Sequence, residues 1–161
     1  EVPDSETNWI ATFHFYEPMW FTHQGAEWSS RYKTTGIVWP GPPSQPIAPA
    51  KGEEDRSFWY DYNTLPTAIN PAGPKRPNEL FDQAIDWSKQ NHVPLWLGEF
   101  GAYGKADLQS RINWTKFVRD AAEKRGISWA YWEFDAGFGI YDRKTSAWEK
   151  GLLNALIPQQ K

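Results

Sequence analysis

The chain has 161 residues, enough for one domain with a real core, and a formal net charge of −3 with no basic block. That balance argues against nucleic acid as a partner, and no apolar run approaches the length of a membrane span, so no membrane partner is expected. With no cysteine there are no disulfides and no thiolate metal sites, while the compartment stays open because many secreted enzymes also lack cystine.

The N-terminus carries no signal-peptide pattern. Glu1-Val2-Pro3-Asp4 reads as a trimmed or mature-chain start in mid-loop. The aromatic content is the outlier, with 11 Trp, 7 Tyr and 9 Phe. Trp usually fills cores or interfaces, yet several here stand in polar, Pro/Gly-rich stretches beside His or Gln. Exposed indoles suit ligands with flat apolar faces, and pyranose rings have such faces. Core packing is the simpler reading of any single Trp; so many in loops favours sugar binding.

Three strand-then-helix units can be read along the chain. Trp9 to Tyr16 (W-I-A-T-F-H-F-Y) is rich in β-formers and ends at Glu17-Pro18. A long segment from about 17 to 77 follows, full of Pro and Gly (G-P-P-S-Q-P, then N-P-A-G-P-K-R-P). A loop this long is functional or disordered. Its aromatics, Trp20, Phe21, Trp28, Trp39, Trp59 and Tyr62 among them, argue for ordered and functional. Asn78 then caps a helix with Leu80, Phe81, Ala84 and Ile85 on one face.

The second unit starts at Val93 to Leu97, an almost wholly apolar run that reads as a strand buried on both faces of a parallel sheet. It ends in Gly98-Glu99, which puts a carboxylate where the strand stops. A (β/α)8 barrel keeps its chemistry there, at the C-terminal ends of its strands; an exposed loop glutamate is the plainer alternative. A helix from about Asp107 to Arg125 follows, with Leu108, Ile112, Thr115, Val118 and Ala122 as its stripe and Gly126 as its C′ residue. The third unit is the strand Ile127 to Phe134, then the loop D-A-G-F-G-I-Y-D. Ser146 with Glu149 makes a capping box. The last helix presents Trp148, Leu152, Leu153, Leu156 and Ile157 and stops at Pro158.

This alternation predicts an α/β fold of parallel strands joined by right-handed crossovers. No G-x-G-x-x-G follows the first strand, so a dinucleotide fold lacks its fingerprint. Polar and aromatic residues at all three strand ends (His14 and Tyr16, Glu99, Trp132) favour a barrel mouth. Glycoside hydrolysis needs two carboxyl groups, about 5 Å apart in retaining enzymes, one as nucleophile and one as acid/base. Glu99 suits the nucleophile. Tyr16 is placed to donate a hydrogen bond that holds it ionised, His14 would be its polar neighbour, and Trp132 would floor the sugar. His14 reads equally well as a satisfied buried histidine, and Trp132 as core. His14, His23 and His92 are too scattered to give a metal-ligand spacing, so no metal and no cofactor is expected.

Four segments in order, F-H-F-Y-E-P, F-T-H-Q-G-A-E-W, L-G-E-F-G-A-Y and W-A-Y-W-E-F-D-A-G-F-G-I-Y-D, together resemble glycoside hydrolase family 5, in particular its bacterial endoglucanases and cellulase–mannanases. The resemblance covers most of the chain. It implies the last part of a (β/α)8 TIM barrel, about strands six to eight. It also implies Glu99 as nucleophile, His14 and Tyr16 beside it, and Trp132, His23 and Trp28 as substrate contacts. A secreted retaining endo-β-1,4-glucanase acting on β-1,4-glucan follows, with glucan and mannan preference left open.

Two departures accompany the resemblance. The loop from about Ser29 to Pro77 looks longer than usual, and its extra aromatics would extend or narrow the cleft. Strands one to five are missing, and with them the family's Asn-Glu-Pro acid/base. Asn78-Glu79 is followed by Leu80 and is explained by helix capping; Glu17 and Glu133 lie near strand ends, Glu133 turned from Trp132 by strand alternation. Three units cannot close an eight-strand barrel. Residues 1–161 are therefore expected to be the C-terminal portion of one catalytic domain. The acid/base would come from an N-terminal barrel chain, or copies of this chain would self-associate. An inactive barrel fragment and a non-catalytic β-glucan-binding module are the alternatives.

Overall fold

A computed structural model describes residues 8–54 and 56–159, so the Glu1–Asp4 stretch lies outside the described residues. The alternating run A-T-F-H-F forms β1 (Ala11–Phe15), with Phe13 and Phe15 turned inward and Thr12 and His14 exposed on the opposite face. The strand is shorter than expected because pairing starts only at Ala11, opposite Leu95; Trp9 and Ile10 stay exposed.

The segment from 17 to 77 is ordered, and it holds two short helices, α1 (Met19–Thr22) and α2 (Arg56–Thr64). Among its described residues there is no strand to satisfy the backbone, so buried polar side chains do that work instead. Gln24, fully buried, donates to the carbonyls of Phe21 and Ile37 and accepts from the Ile37 amide. Asn70 donates to the carbonyls of Tyr62 and Leu65 and accepts from the Ala72 amide. Glu53 is buried and accepts from the amides of Lys33 and Thr34 and from the Thr34 hydroxyl. Burial alone would raise its pKa, but those donors outweigh that and hold it below the ordinary value.

Several aromatics expected to serve a cleft are core instead. Trp39, Trp59, Phe21 and Tyr62 are all buried, and Trp20, Phe58 and Trp59 pack ring against ring at 5.0–5.5 Å. Their loop position was misleading because this loop has a core of its own.

The next helix, α3 (Lys75–Asn91), starts three residues before the expected cap. Pro74 occupies the N-cap and Pro77 sits in the first turn, where a missing N–H costs nothing. Asn78 lies inside the helix and its side chain donates back to the Pro74 carbonyl at 3.0 Å. Glu79 is a surface residue paired with Lys75 and Arg76. His92 ends the helix in the left-handed region, far from any ligand role.

Strand β2 (Leu95–Phe100) pairs in parallel with β1 and with β3 (Ser128–Trp129), giving the order β1-β2-β3. The ladder continues past β3 through the Ala130 and Trp132 amides, which donate to the carbonyls of Leu97 and Phe100. Between the strands runs α4 (Leu108–Glu123), capped by Asp107, whose side chain accepts from the Ser110 amide. Gly126 takes the left-handed conformation expected of it. Thr115, Val118 and Ala122 of the expected α4 stripe are buried and are joined by Trp114 and Ala121, while Leu108 is exposed. Phe15, Phe81, Leu97, Phe100 and Trp114 form the centre of the core, Phe15 lying 4.8 Å from Phe81 and parallel to Trp114 at 6.3 Å.

The expected third strand to Phe134 breaks off at Trp129. The chain then forms a hairpin, β4 (Tyr141–Asp142) and β5 (Ala147–Trp148), before α5 (Lys150–Leu156). The expected capping box gives way to a single cap. Ser146 turns the hairpin with φ 51°, and Glu149 is itself the N-cap, accepting from the Gly151 amide at 3.2 Å. Leu152, Ala155 and Leu156 are buried, whereas Trp148 belongs to β5 and Ile157 is exposed. The result is an α/β unit with a parallel sheet, helices on one face. The other face shows Thr12, His14 and Trp96, the last 44% exposed.

Candidate active site

Glu99 owes its direction to one extra residue. Phe13 lies opposite Leu97, but the next residue, His14, lies opposite Glu99, so the register skips Gly98. Side chains alternate along a strand, and a single inserted residue inverts the alternation beyond it. Before the skip, Trp96 shares the open face with Thr12. After it, Glu99 joins His14 on that face and Phe100 turns inward beside Phe15. Without the skip Glu99 would point into the apolar core with Leu97. Contrary to expectation, Glu99 therefore lies inside β2 rather than after it.

Glycine at 98 leaves room for Thr12: a Cβ there would stand 2.5 Å from Thr12 Oγ1, so any side chain would require Thr12 to turn aside. At Gly101 a Cβ would collide with the Trp132 carbonyl.

On the open face the Tyr16 hydroxyl donates to Glu99 Oε2 at 2.9 Å, and His14 Nδ1 lies 3.2 Å from the same oxygen. Among the described residues Glu99 Oε1 has no hydrogen-bond partner. Burial raises the Tyr16 pKa well above the ordinary phenol value, helped by the bond to Glu99 and by the charges of Glu99 and Glu133. The shift favours the protonated phenol, which can donate to Glu99. Glu133 acts on Tyr16 and Tyr131 through its charge, and its Oε1 accepts from the Phe138 amide at 3.3 Å. The strand has ended by then, so the alternation argument that turned Glu133 away does not apply.

His23 packs edge-on to Tyr16, ring centroids 5.0 Å apart, and to Phe138 at 5.5 Å. Trp28 is 61% exposed and stands edge-on to Tyr103 at 4.7 Å. Phe138 joins these groups, contacting Tyr16, His23, Trp28 and Tyr103. Glu99, His14, Tyr16, His23 and Trp28 are therefore connected. Trp132 sits just past β3, 43% exposed, its amide tied to Phe100. Among the described residues no three His, Asp or Glu side chains gather as a metal site.

Sequence reasoning missed Phe138, Tyr103, Gly98 and Arg111. Arg111 lies on α4 and donates to the carbonyls of Ala102, Phe138 and Gly139. A signal for it exists: an arginine three residues after Leu108 and four before Thr115 falls on the predicted apolar stripe.

The family model for Cellulase (glycosyl hydrolase family 5) matches residues 1–137. The chain belongs to glycosyl hydrolase family 5. It is 28% identical to Endoglucanase H of Acetivibrio thermocellus, over 98% of this chain and 14% of that protein. It is 31% identical to Endoglucanase C of the same organism, over 91% of this chain and 42% of the relative. Cel5A of Thermotoga maritima, solved in complex with cellobiose, superposes with a TM-score of 0.75 at 43% identity, over 98% of this chain and 42% of Cel5A. A structure of Cel5A with mannotriose matches equally well. This family 5 chain thus spans less than half the length of these relatives.

Gly98→Ala should lower stability by about 1–3 kcal/mol, the usual cost of forcing an extra group into a packed site. Urea unfolding measures it, and Thr12→Ala in the same chain should restore most of the loss. An unchanged midpoint in the single variant would show that the skip does not depend on glycine.

Proposed function

We propose that Glu99 is the nucleophile of a retaining endo-β-1,4-glucanase and that residues 1–161 are the C-terminal portion of its catalytic domain, about strands six to eight of the (β/α)8 barrel, with the long loop at about 17–77. The observation that carries this reading is the convergence of the Tyr16 hydroxyl and His14 Nδ1 on one oxygen of a strand-end carboxylate. With Oε2 so held, Oε1 is the atom to attack the anomeric carbon. The sugar–oxygen bond breaks as a general acid protonates the leaving oxygen, and water then hydrolyses the glycosyl–enzyme ester. Tyr16 orients the carboxylate and stabilises its charge.

His23, Trp28 and Trp132 are the proposed sugar contacts. The substrate is a β-1,4-linked glucan, with mannan compatible, since Cel5A is described with both cellobiose and mannotriose. The enzyme is proposed to be secreted, as the family reading implies; among the described residues no helix is long and apolar enough to cross a membrane. The general acid is proposed to come from an N-terminal barrel segment. Within the chain Glu79 is paired on a helix surface and Glu133 Oε1 accepts from the loop amide of Phe138, so neither is proposed as the second carboxylate, and an active isolated chain would point to Glu17 or another residue here.

Glu99→Gln, in the chain combined with an N-terminal barrel segment, should abolish nearly all turnover of soluble β-glucan while leaving cello-oligosaccharide binding intact. Near-normal rates in the folded variant would end the assignment. Trp28→Ala and Trp132→Ala should each weaken oligosaccharide binding by about 1–3 kcal/mol, the scale of covering a large apolar side chain. Calorimetry with cello-oligosaccharides is the measurement, and unchanged affinity in both would return these residues to a packing role.

The chain alone should hydrolyse β-glucan slowly, because acid/base assistance contributes about 10²–10⁴-fold. It should also either bind an N-terminal barrel segment tightly or self-associate, covering the edges β1 and β3 and the exposed Trp96. Light scattering and a reducing-sugar assay test both halves. A compact, active monomer would refute the division of labour; binding without turnover in the complemented form would favour the β-glucan-binding module.

A further inference from the structure

Thr22 and His23 lie at the end of α1, and their side chains meet beside Tyr16. Thr22 is fully buried. Its Oγ1 lies 2.6 Å from the Tyr16 carbonyl oxygen and 2.9 Å from His23 Nδ1. A hydroxyl has one proton to give, and a carbonyl oxygen has none. At 2.6 Å two oxygens without a proton between them would repel, so the Thr22 proton is committed to the Tyr16 carbonyl. Thr22 then faces His23 with lone pairs only. The 2.9 Å contact is a hydrogen bond only if His23 Nδ1 carries the proton.

Burial lowers the His23 pKa from its ordinary value, so the ring is neutral at pH 7. A neutral imidazole protonated at Nδ1 has a lone pair at Nε2. Among the described residues nothing bonds Nε2. The ring itself is held by Tyr16, Phe138 and Tyr32, at 5.0, 5.5 and 5.9 Å between centroids, and Thr22 is fixed through its own carbonyl, which accepts from the Tyr103 amide at 2.8 Å.

We propose that Thr22 is a positioning residue that sets His23 as the Nδ1–H tautomer, so that Nε2 accepts a hydrogen from a sugar hydroxyl. The second half rests on the sugar-binding reading given above. The consequence is a directional filter. His23 selects a ligand group that donates at that position, and it disfavours a fluorine there, which accepts but does not donate.

The test is nitrogen-15 NMR of histidine side chains in the labelled 161-residue chain combined with an unlabelled N-terminal barrel segment, at neutral pH, without and with cellobiose. The free protein should show a protonated-type nitrogen at Nδ1 of His23 and an unprotonated-type one at Nε2. A proton on Nε2, or on both nitrogens, would overturn the proposal. Thr22→Ser should keep the tautomer. Thr22→Val should mix the two tautomers and weaken cellobiose binding about fivefold, the scale of one neutral hydrogen bond. If the valine variant does not fold, the wild-type spectrum decides the tautomer alone. Cellobiose should shift the Nε2 signal. If cellobiose perturbs the indole fluorescence but leaves Nε2 unmoved, the hydroxyl contact is wrong. If it perturbs neither, the sugar-binding reading and the hydroxyl contact built on it fall together, while the tautomer assignment stands on the free-protein spectrum.

Discussion

The skipped residue at Gly98 is the constraint on which the site depends. Strand alternation would send Glu99 into the apolar layer between sheet and helices, where an unpaired carboxylate costs far more than the fold can offset. One inserted glycine inverts the phase and delivers the carboxylate to the open face beside His14. The same inversion returns Phe100 to the core, where it meets Trp114 and Tyr131. A single local feature therefore serves both sides of the sheet. The close approach of Thr12 Oγ1 means that a side chain at 98 would displace Thr12.

Helix α4 fixes what the strands present. Trp114 Nε1 donates to the Glu17 carbonyl and so holds the exit of β1. Ser110 Oγ accepts from the Trp39 amide and ties in the long loop. Arg111 donates to carbonyls on both sides, Ala102 after β2 and Phe138 and Gly139 after β3. Bonds from a charged donor are the stronger kind, about 1.5–3 kcal/mol each. Three segments that meet only at the site are thus referenced to one rigid element. The aromatic group around Phe138 inherits its position from Arg111.

Strand–helix alternation, the helix over 107–125 and the role of Gly126 were legible in the sequence because each rests on short-range pattern. So was the pairing of Tyr16 and His14 with Glu99, through residue types at strand ends. What the sequence hid was of three kinds. The skip at Gly98 is a register property, invisible until β1 and β2 are aligned. The burial of Trp39 and Trp59 depends on a loop building a small core around Gln24, Glu53 and Asn70, polar residues that read as surface. The early end of β3 and the hairpin after it depend on contacts made past residue 130. Helix boundaries failed where proline chemistry competed with a better-looking cap, as at Pro74 and Asn78.

Everything that shapes the Glu99 carboxylate comes from nearby in this unit. Tyr16 and His14 lie at the end of β1, the Phe138 wall is clamped by α4, and Thr22 is bonded to the loop after β2. Within this unit the carboxylate of the proposed nucleophile is thus held through one oxygen, while Oε1 and the face in front of it stay open among the described residues. In a closed barrel, inward side chains from alternate strands fill the interior in layers. Thr12 and Trp96 share the open face of this sheet, where Trp96 stays 44% exposed. The open surface at Glu99 is continuous with the exposed Trp96 further down the same face. In the reading proposed above chemistry and assembly are linked: an element that covered Trp96 would enter on the side where the proposed second carboxylate is needed, so completing the core and completing the reaction would be one event.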